Sequence, residues 1–312
     1  MKNKFKFFGM LLLGGLIFAS LAITSCKKDD PDPDDGKIDP STIAATNLVA
    51  YFSFEDNGND EISTMKPSNT NTTTSTFVEG RRGKAFQGAS DKNSGLLYTL
   101  PANSKLKTLK AFSFSLWLKQ VPNTIETTDA PEQMVFQLDG KGDWIWGNLF
   151  FLQHRNWPEG DTEQARNFAE MDCYFWKDNS DEWKGQRGNG WNVDVTAPQW
   201  RHIICTYDNA TSKFHAYVNG VHVTAFDGTE YMGSERWQRD GEDLPLGDLK
   251  FNTPEKFAIG AWANRLAGTD VQDDAWASPF KGLIDELRIY DKGLTEAEVK
   301  ALYDAEITQI NE

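Results

Sequence analysis

Alternation of apolar and polar residues in short segments limits this chain to a β structure. Residues 48–54, 111–118 and 213–218 alternate with a period of two, which is typical of strands that bury one face. Asn219-Gly220 separates the third segment from residues 221–226, and both residues of this pair tolerate positive φ. The pattern therefore predicts a tight β-hairpin.

The rest of the chain repeats this pattern, and only one segment favours a helix. Further predicted strands lie at 133–138, 149–154, 168–176, 202–207, 256–261 and 282–290. A C-terminal helix is predicted after Thr295, because Thr295 and Glu298 have the spacing of a capping box. Many short strands with Gly, Asn and Asp turns predict an all-β fold, a two-sheet antiparallel jelly-roll sandwich with one short C-terminal helix.

The first 26 residues have the pattern of an export signal. Three lysines precede an apolar run over about residues 7–22, which is too short for a membrane-spanning helix. The string Leu-Ala-Ile-Thr-Ser-Cys at 21–26 resembles the lipobox of bacterial lipoproteins. It predicts a signal peptide over 1–25 and lipid on Cys26, so that acyl chains anchor the protein to a membrane. The alternative is an ordinary secretory peptide with a chance cysteine.

The segment after Cys26 refines the expected location. Lys-Lys-Asp-Asp at 27–30 resembles the export signal of surface lipoproteins in glycan-foraging Gram-negative bacteria; a solvated spacer is the alternative. Residues 26–42 contain few apolar side chains, which predicts a disordered tether rich in Asp and Pro. We expect a lipid-anchored protein of the outer membrane, exposed on the cell surface.

Charge and cysteine content narrow the partners and the chemistry. The net charge of −14 argues against nucleic acid as a partner, because the phosphates would be repelled. With Cys26 lipidated, Cys173 and Cys205 remain. Outside the cytoplasm they are candidates for one disulfide, and they are equally interpreted as two small buried apolar residues.

Several blocks of the sequence, taken in order, resemble one family. They are residues 48–60, 83–88, 112–117, 200–208, 214–220, and 280–290 followed by 294–303. These blocks resemble the strands of the laminin-G-like (LamG) jelly roll of the concanavalin A-like lectin/glucanase superfamily, over about residues 46–303. The resemblance implies one domain over 43–312, in which the first and last strands pair to close the fold.

The resemblance also implies one structural Ca²⁺ at the rim of the sandwich. The turn at 55–60 is rich in acidic and amide side chains, and Ca²⁺ prefers several oxygen ligands. Asp60 and Asp285, on strands expected to be neighbours, are the candidate ligands. The alternative is that Asn, Gly and Asp simply build the turn.

Two segments are longer than the compact form of the family requires, at about 139–196 and 227–278. They contain most of the 11 tryptophans: Trp144, Trp146, Trp157, Trp176, Trp183 and Trp191 in the first, and Trp237, Trp262 and Trp276 in the second. We expect rim loops, where function is commonly located. Trp rings stack on the C–H faces of sugars. The alternative is that the same rings pack the loops against the rest of the domain.

The strand at 168–176 is the best candidate for the ligand face. A period of two places Glu170, Asp172, Tyr174 and Trp176 on one face, with residues 171, 173 and 175 in the core. Glucanases of the superfamily carry Glu-x-Asp-x-x-Glu here, whereas Phe175 replaces the second glutamate. Retaining hydrolysis needs two carboxyl groups, so these residues are interpreted as hydroxyl acceptors of a binding cleft or as solvated strand residues.

The sequence therefore predicts a cell-surface lipoprotein that is not an enzyme and that binds carbohydrate. The predicted contacts are Trp144, Trp146, Glu170, Asp172, Tyr174 and Trp176. The expected partners are a glycan and the outer membrane, for a monomeric domain that belongs to a surface glycan-uptake complex. A protein-binding adhesin and a glycoside hydrolase are the alternatives.

His215 and His222 share a face across the hairpin, but zinc would need a third ligand, so we interpret them as ordinary sheet residues.

Overall fold

The computed structural model describes eleven ranges of the chain, which belong to one compact unit over Ile38–Glu312. They are residues 38–68, 76–89, 94–120, 132–140, 147–155, 168–176, 186–194, 197–224, 236–237, 244–269 and 277–309, without the side chains of 154–155, 168, 186–189, 236–237 and 244. Within these ranges no helix is long and apolar enough to cross a membrane. The predicted signal peptide, Cys26 and most of the tether lie outside the described residues, so these assignments stay predictions.

The first sheet has eight strands. Its order is β12-β11-β10-β5-β17-β3-β2, with β1 also paired to β17. The strands are β1 Leu48–Phe52, β2 Thr76–Glu79, β3 Lys84–Gln87, β5 Phe112–Lys119, β10 Trp200–Asp208, β11 Lys213–Val218, β12 Val221–His222 and β17 Leu283–Tyr290. The pairing of β1 with β17 confirms that the first and last strands meet.

The second sheet has seven strands, in the order β4-β15-β6-β7-β8-β9, with β16 paired to β6. They are β4 Leu96–Thr99, β6 Glu132–Leu138, β7 Leu149–Arg155, β8 Phe168–Trp176, β9 Gln186–Asp194, β15 Lys256–Ile259 and β16 Ala277–Pro279, while β13 Arg236–Trp237 and β14 Leu244–Pro245 pair separately. The sequence predicts a rim insertion over 139–196, whereas β7, β8 and β9 of this sheet lie in that range. The second long segment likewise contains β15.

The core lies between the two sheets and is rich in aromatic rings. Phe114 of β5 contacts Phe136 of β6 edge-on, with ring centroids 4.9 Å apart. Phe112 contacts Phe175 of β8 in the same way at 5.2 Å. All four rings are buried, and offset or edge-to-face pairs of this kind add to the stability that area burial provides. The alternating apolar residues of each strand thus supply one face of the sandwich, which confirms the all-β class.

The C-terminal helix covers the outer face of the first sheet. This helix, α2 (Glu296–Ile307), begins with the predicted capping box, in which Thr295 and Glu298 bond each other's backbone. A one-turn helix, α1 (Ala263–Leu266), precedes it in the chain, and three short 3₁₀ helices lie at Pro40–Thr42, Ala45–Asn47 and Lys105–Thr108. Val299 and Leu302 of α2 pack on Ile204, Tyr217 and Tyr290.

A buried group of charged side chains also holds α2 to the sheet. Glu306 accepts hydrogen bonds from the Trp117 indole at 2.7 Å and from the Arg288 guanidinium, and it lies 3.1 Å from His202 Nε2. Arg288 also donates to Glu286 Oε2 at 2.6 Å. Arg288 and Glu306 hold their charges in the interior because each has an opposite partner.

Candidate functional site

Strand β8 presents the predicted candidate residues on the outer face of the second sheet. Met171, Cys173 and Phe175 belong to the core between the sheets, which confirms the predicted alternation. Glu170, Asp172, Tyr174 and Trp176 therefore share the other face. Asp172 is buried there, whereas Glu170 and Tyr174 are each partly exposed.

The Tyr174 ring packs against an apolar cluster. It stacks on Phe150 of β7 with ring centroids 4.9 Å apart and planes inclined by 9°. It packs against a cluster of buried side chains, Met134, Phe150, Leu152, Trp262 and Ala277. Burial raises the pKa of Tyr174, and the negative charges of Asp172, Glu132 and Glu170 raise it further. The ring is thus a fixed, partly exposed platform beside several carboxylates.

Glu170 and Asp172 lie close together above a glycine of β9. A Cβ atom added to Gly190 would lie 2.4 Å from Asp172 Oδ1 and 2.4 Å from Glu170 Oε1, so these two oxygens are at most about 4.8 Å apart. Any larger residue at 190 would collide with both carboxylates. The glycine therefore provides the space in which this carboxylate pair lies.

Strand β9 has glycines at the positions that pair with Tyr174 and Asp172. In the register of the two strands, Tyr174 faces Gly188, Asp172 faces Gly190 and Glu170 faces Asn192. Two successive outward positions thus have no side chain, and Asn192 is exposed. We call Tyr174, Glu170, Asp172 and Asn192 the Tyr174 patch. It combines one aromatic face, two carboxylates and one amide.

The tryptophans do not form the predicted platform where the structure describes them. Trp176 has 0% exposed surface, so its prediction as a stacking residue is wrong in this conformation. Trp262 and Trp191 are exposed by 0% and 1%, and Trp191 packs on Phe151 in the core. These three support the alternative in which Trp serves packing. Trp144 and Trp146 lie outside the described residues and stay predictions.

The two candidate calcium ligands, Asp60 and Asp285, both accept hydrogen bonds from neighbouring backbone amides of the protein. Both oxygens of Asp60 already accept protein hydrogen bonds, Oδ1 from the amides of Tyr51 and Ile62, and Oδ2 from the amide and hydroxyl of Ser63. Asp285 Oδ2 accepts from the amides of Arg81 and Arg82 at 2.8 and 3.0 Å. Among the described residues no group of three or more His, Cys, Asp or Glu side chains is placed to hold a metal. Asp60 thus fixes its own turn, and calcium binding stays a prediction.

The two core cysteines meet between the sheets. No disulfide joins Cys173 and Cys205 in this structure, and both side chains are fully buried. Burial raises the pKa of Cys205, and its side-chain hydrogen bond with Cys173 raises it further. The structure thus brings the predicted pair into contact without a bond, and the disulfide stays a prediction.

The described surface also contains a pocket of about 370 Å³ on the opposite side of the molecule. It lies between the outer face of the first sheet and the start of α2. His215, Tyr217 and His222 line it together with Asp208 and Glu296. The sequence placed the two histidines on one face but gave them no role, because the spacing across a hairpin does not reveal that α2 begins beside them.

No family model matches this sequence, and no curated protein matches it. Among solved structures, the botulinum neurotoxin type C whose cell entry depends on two ganglioside molecules is 12% identical, with a TM-score of 0.53 over 86% of this chain and 53% of that one. The binding domain of Paraclostridial Mosquitocidal Protein 1 is 14% identical, with a TM-score of 0.51 over 83% and 52%.

Domain 4 of a GH43 extracellular arabinanase from Geobacillus stearothermophilus, in complex with arabinotriose, is 22% identical, with a TM-score of 0.47 over 82% of this chain and 98% of that one. The match spans about half the length of the two toxin chains. At these identities the likeness to the toxin chains shows the fold alone, a jelly-roll sandwich of two antiparallel sheets.

Proposed function

We propose that the protein binds carbohydrate at the Tyr174 patch. The observation that carries this proposal is the partly exposed Tyr174 ring, stacked on Phe150, beside the Glu170–Asp172 pair. A pyranose or furanose ring presents C–H groups that pack on an aromatic face. Its hydroxyls donate hydrogen bonds, and ionised carboxylates accept such bonds more strongly than neutral groups do.

The charge of the patch favours a neutral glycan. Three carboxylates, Glu132, Glu170 and Asp172, act on Tyr174, and the whole chain carries a net charge of −14. A uronic or sialic acid would meet repulsion here, since like charges at short range disfavour one another. A neutral oligosaccharide would supply only hydroxyl donors.

The fold and the N-terminal pattern give further support. Cell entry of botulinum neurotoxin type C depends on interaction with two ganglioside molecules, and about half of that toxin chain shares the two-sheet sandwich. The lipobox-like string ending at Cys26 supports display of the domain on the outer membrane by a lipid anchor. In this proposal the protein is a monomeric surface lipoprotein that delivers glycan to an uptake complex.

Binding to a panel of plant, algal and host glycans tests the proposal. We expect the purified protein to bind at least one neutral polysaccharide, and Tyr174→Ala to abolish that binding. Tyr174→Phe, which keeps the ring, should retain most of it. Val221→Ala is the remote control, since Val221 is 68% exposed on the other sheet. The proposal would be overturned if the protein bound no neutral glycan, or if Tyr174→Ala bound the glycan as well as the unchanged protein does.

Glycoside hydrolysis is the second candidate, because one observation favours it. The nearest oxygens of Glu170 and Asp172 are at most about 4.8 Å apart, and retaining enzymes place two carboxyl groups about 5–5.5 Å apart. Against it, the two residues are neighbours on one strand, and Phe175 replaces the second glutamate of the superfamily pattern. Release of reducing ends from a bound glycan, lost in Glu170→Gln, would establish hydrolysis.

A further inference from the structure

The pocket beside α2 contains two histidines in direct contact. His215 Nδ1 and His222 Nε2 lie 3.0 Å apart, and the two ring centroids are separated by 5.0 Å. Both side chains line the pocket of about 370 Å³. His222 is exposed and His215 partly exposed, so an ion has access to both rings from solvent.

The hairpin fixes this contact. Tyr217 faces His222 directly across the two-residue turn, and Asn219 and Gly220 adopt φ values of 51° and 74°, as a tight primed turn requires. The Tyr217 ring lies beside both imidazoles, with its centroid 5.1 Å from that of His222 and 6.4 Å from that of His215. Backbone register, and not chance side-chain rotation, therefore brings the rings together.

We propose that His215 and His222 bind one divalent transition-metal ion through Nδ1 and Nε2. Two nitrogens at 2.0–2.1 Å from a tetrahedral ion are about 3.3 Å apart, so the observed 3.0 Å needs to widen by only about 0.3 Å. In the metal-free pair, one ring donates an N–H to the lone pair of the other. The ion takes the place of that shared proton, which moves to the other nitrogen of the same ring, so both ligands are neutral imidazoles.

The surroundings favour a cation over an anion. The carboxylates of Asp208 and Glu296 line the same pocket, with Lys213 as the opposing charge. Burial, and then the charge of Glu296, raises the pKa of Tyr217, so the negative charge of Glu296 acts on this side of the sheet. At the start of α2, the capping box formed by Thr295 and Glu298 already uses the amides of these two residues.

The number of ligands determines which ions bind. Among the described residues no third His, Cys, Asp or Glu joins the pair, so water completes the coordination. Imidazole ligands suit Cu²⁺, Ni²⁺ and Zn²⁺, with Cu²⁺ the tightest, whereas Ca²⁺ and Mg²⁺ prefer oxygen.

Calorimetric titration of the purified protein, prepared without a histidine tag, tests the site. We expect one Cu²⁺ and, more weakly, one Zn²⁺ per chain, and the same concentration of Ca²⁺ or Mg²⁺ should not reduce the binding of either ion. His215→Ala and His222→Ala should each lower the affinity for Cu²⁺ by roughly tenfold or more, since a lost ligand costs at least as much as a lost supporting contact. The electron paramagnetic resonance spectrum of bound Cu²⁺ should show two coordinated nitrogens.

The controls separate this pair from other metal-binding groups. His154→Ala, in β7 of the other sheet, should bind Cu²⁺ as the unchanged protein does. Both pocket histidines lie at the edge of the first sheet, so circular dichroism should show all three variants folded. The proposal is overturned if the unchanged protein binds neither ion, if the double variant His215→Ala/His222→Ala retains binding, or if only one of the two histidines matters.

Discussion

Trp117, near the end of β5, donates its indole N–H to Glu306 of α2 at 2.7 Å. This bond connects the C-terminal helix to a strand of the first sheet. The sequence of that strand gives no sign of a polar contact with a helix. It also completes the partners of a carboxylate that has almost no exposure to solvent, since Arg288 and His202 contact the same group.

Replacing Glu306 should destabilise the fold strongly. Glu306→Ala leaves Arg288 buried with one counter-charge fewer, and losing one member of a buried pair costs about 3–5 kcal/mol. Although burial opposes it, Arg288 and His202 lower the pKa of Glu306 below 4.5. Its contribution is therefore present at neutral pH and is lost as the pH falls through that lowered pKa. Urea unfolding at pH 7 measures the cost.

A carboxylate on the exposed face of the same helix is the matched control. Asp304 pairs with Lys300 in solvent, and exposed pairs contribute about 0.2–1 kcal/mol. Asp304→Ala should thus shift the urea midpoint only slightly. Equal shifts for the two variants would contradict the role assigned to the buried group.

Asp285 should make the protein less stable as the pH rises. Burial raises its pKa from 3.8 to about 8, and among the described residues its Oδ1 has no hydrogen-bond partner. Between those two pH values the folded state holds a proton that the unfolded state releases. Its contribution therefore favours folding at low pH and is lost as the pH rises from about 4 to 8.

The neutral variant Asp285→Asn tests this directly. It should raise the free energy of unfolding at pH 9 by about 1–3 kcal/mol, because it no longer buries a charge, and it should change stability much less at pH 5. Denaturant unfolding at the two pH values is the measurement. A variant that is equally destabilised at both would show that the carboxyl is ionised in the folded protein.

Gly190→Ala should disrupt the Tyr174 patch without unfolding the sheet. Its Cβ would lie 2.4 Å from one oxygen of each carboxylate, so Glu170 and Asp172 must move. We expect glycan affinity to fall about tenfold, which corresponds to about 1.4 kcal/mol, with the thermal midpoint nearly unchanged. Unaltered affinity would mean that the carboxylate pair does not contact the glycan.

The core thiols should resist labelling in the folded protein. Cys173 and Cys205 are both 0% exposed, and burial raises the pKa of Cys205, so little thiolate forms at pH 8. A maleimide should label neither residue before unfolding. After unfolding without reductant, labelling of both would show free thiols and labelling of neither would show the disulfide. Rapid labelling of the native protein would contradict the burial.

Period-two alternation was sufficient for most of the fold. It predicted β8 and β11 with their bounds, and the capping box predicted the start of α2. The pattern did not predict β9, because this strand contains Gly188 and Gly190, and glycine has a low propensity for strands. Only the pairing in the sheet gives these two glycines a role, because there they face Tyr174 and Asp172 of β8.

The candidate site was predicted only in part, for a related reason. Sequence spacing placed Glu170, Asp172 and Tyr174 on one face, because alternation within a strand is local. It could not show that Trp176 is buried, since burial depends on residues from other parts of the chain. The contact of His215 with His222 follows from the hairpin, but the pocket in front of it depends on α2.

The position of β17 sets the order in which this chain can fold. β17 pairs with β5 on one side and with β1 and β3 on the other, and Asn47 bonds Asp291, 244 residues later in the chain. Until β17 has emerged from the ribosome, the first sheet is in three unconnected parts: β12-β11-β10-β5, β3-β2 and β1. Because such distant contacts close slowly, the earlier strands expose unpaired edges during synthesis, and a chaperone that holds them apart would raise the yield of folded protein.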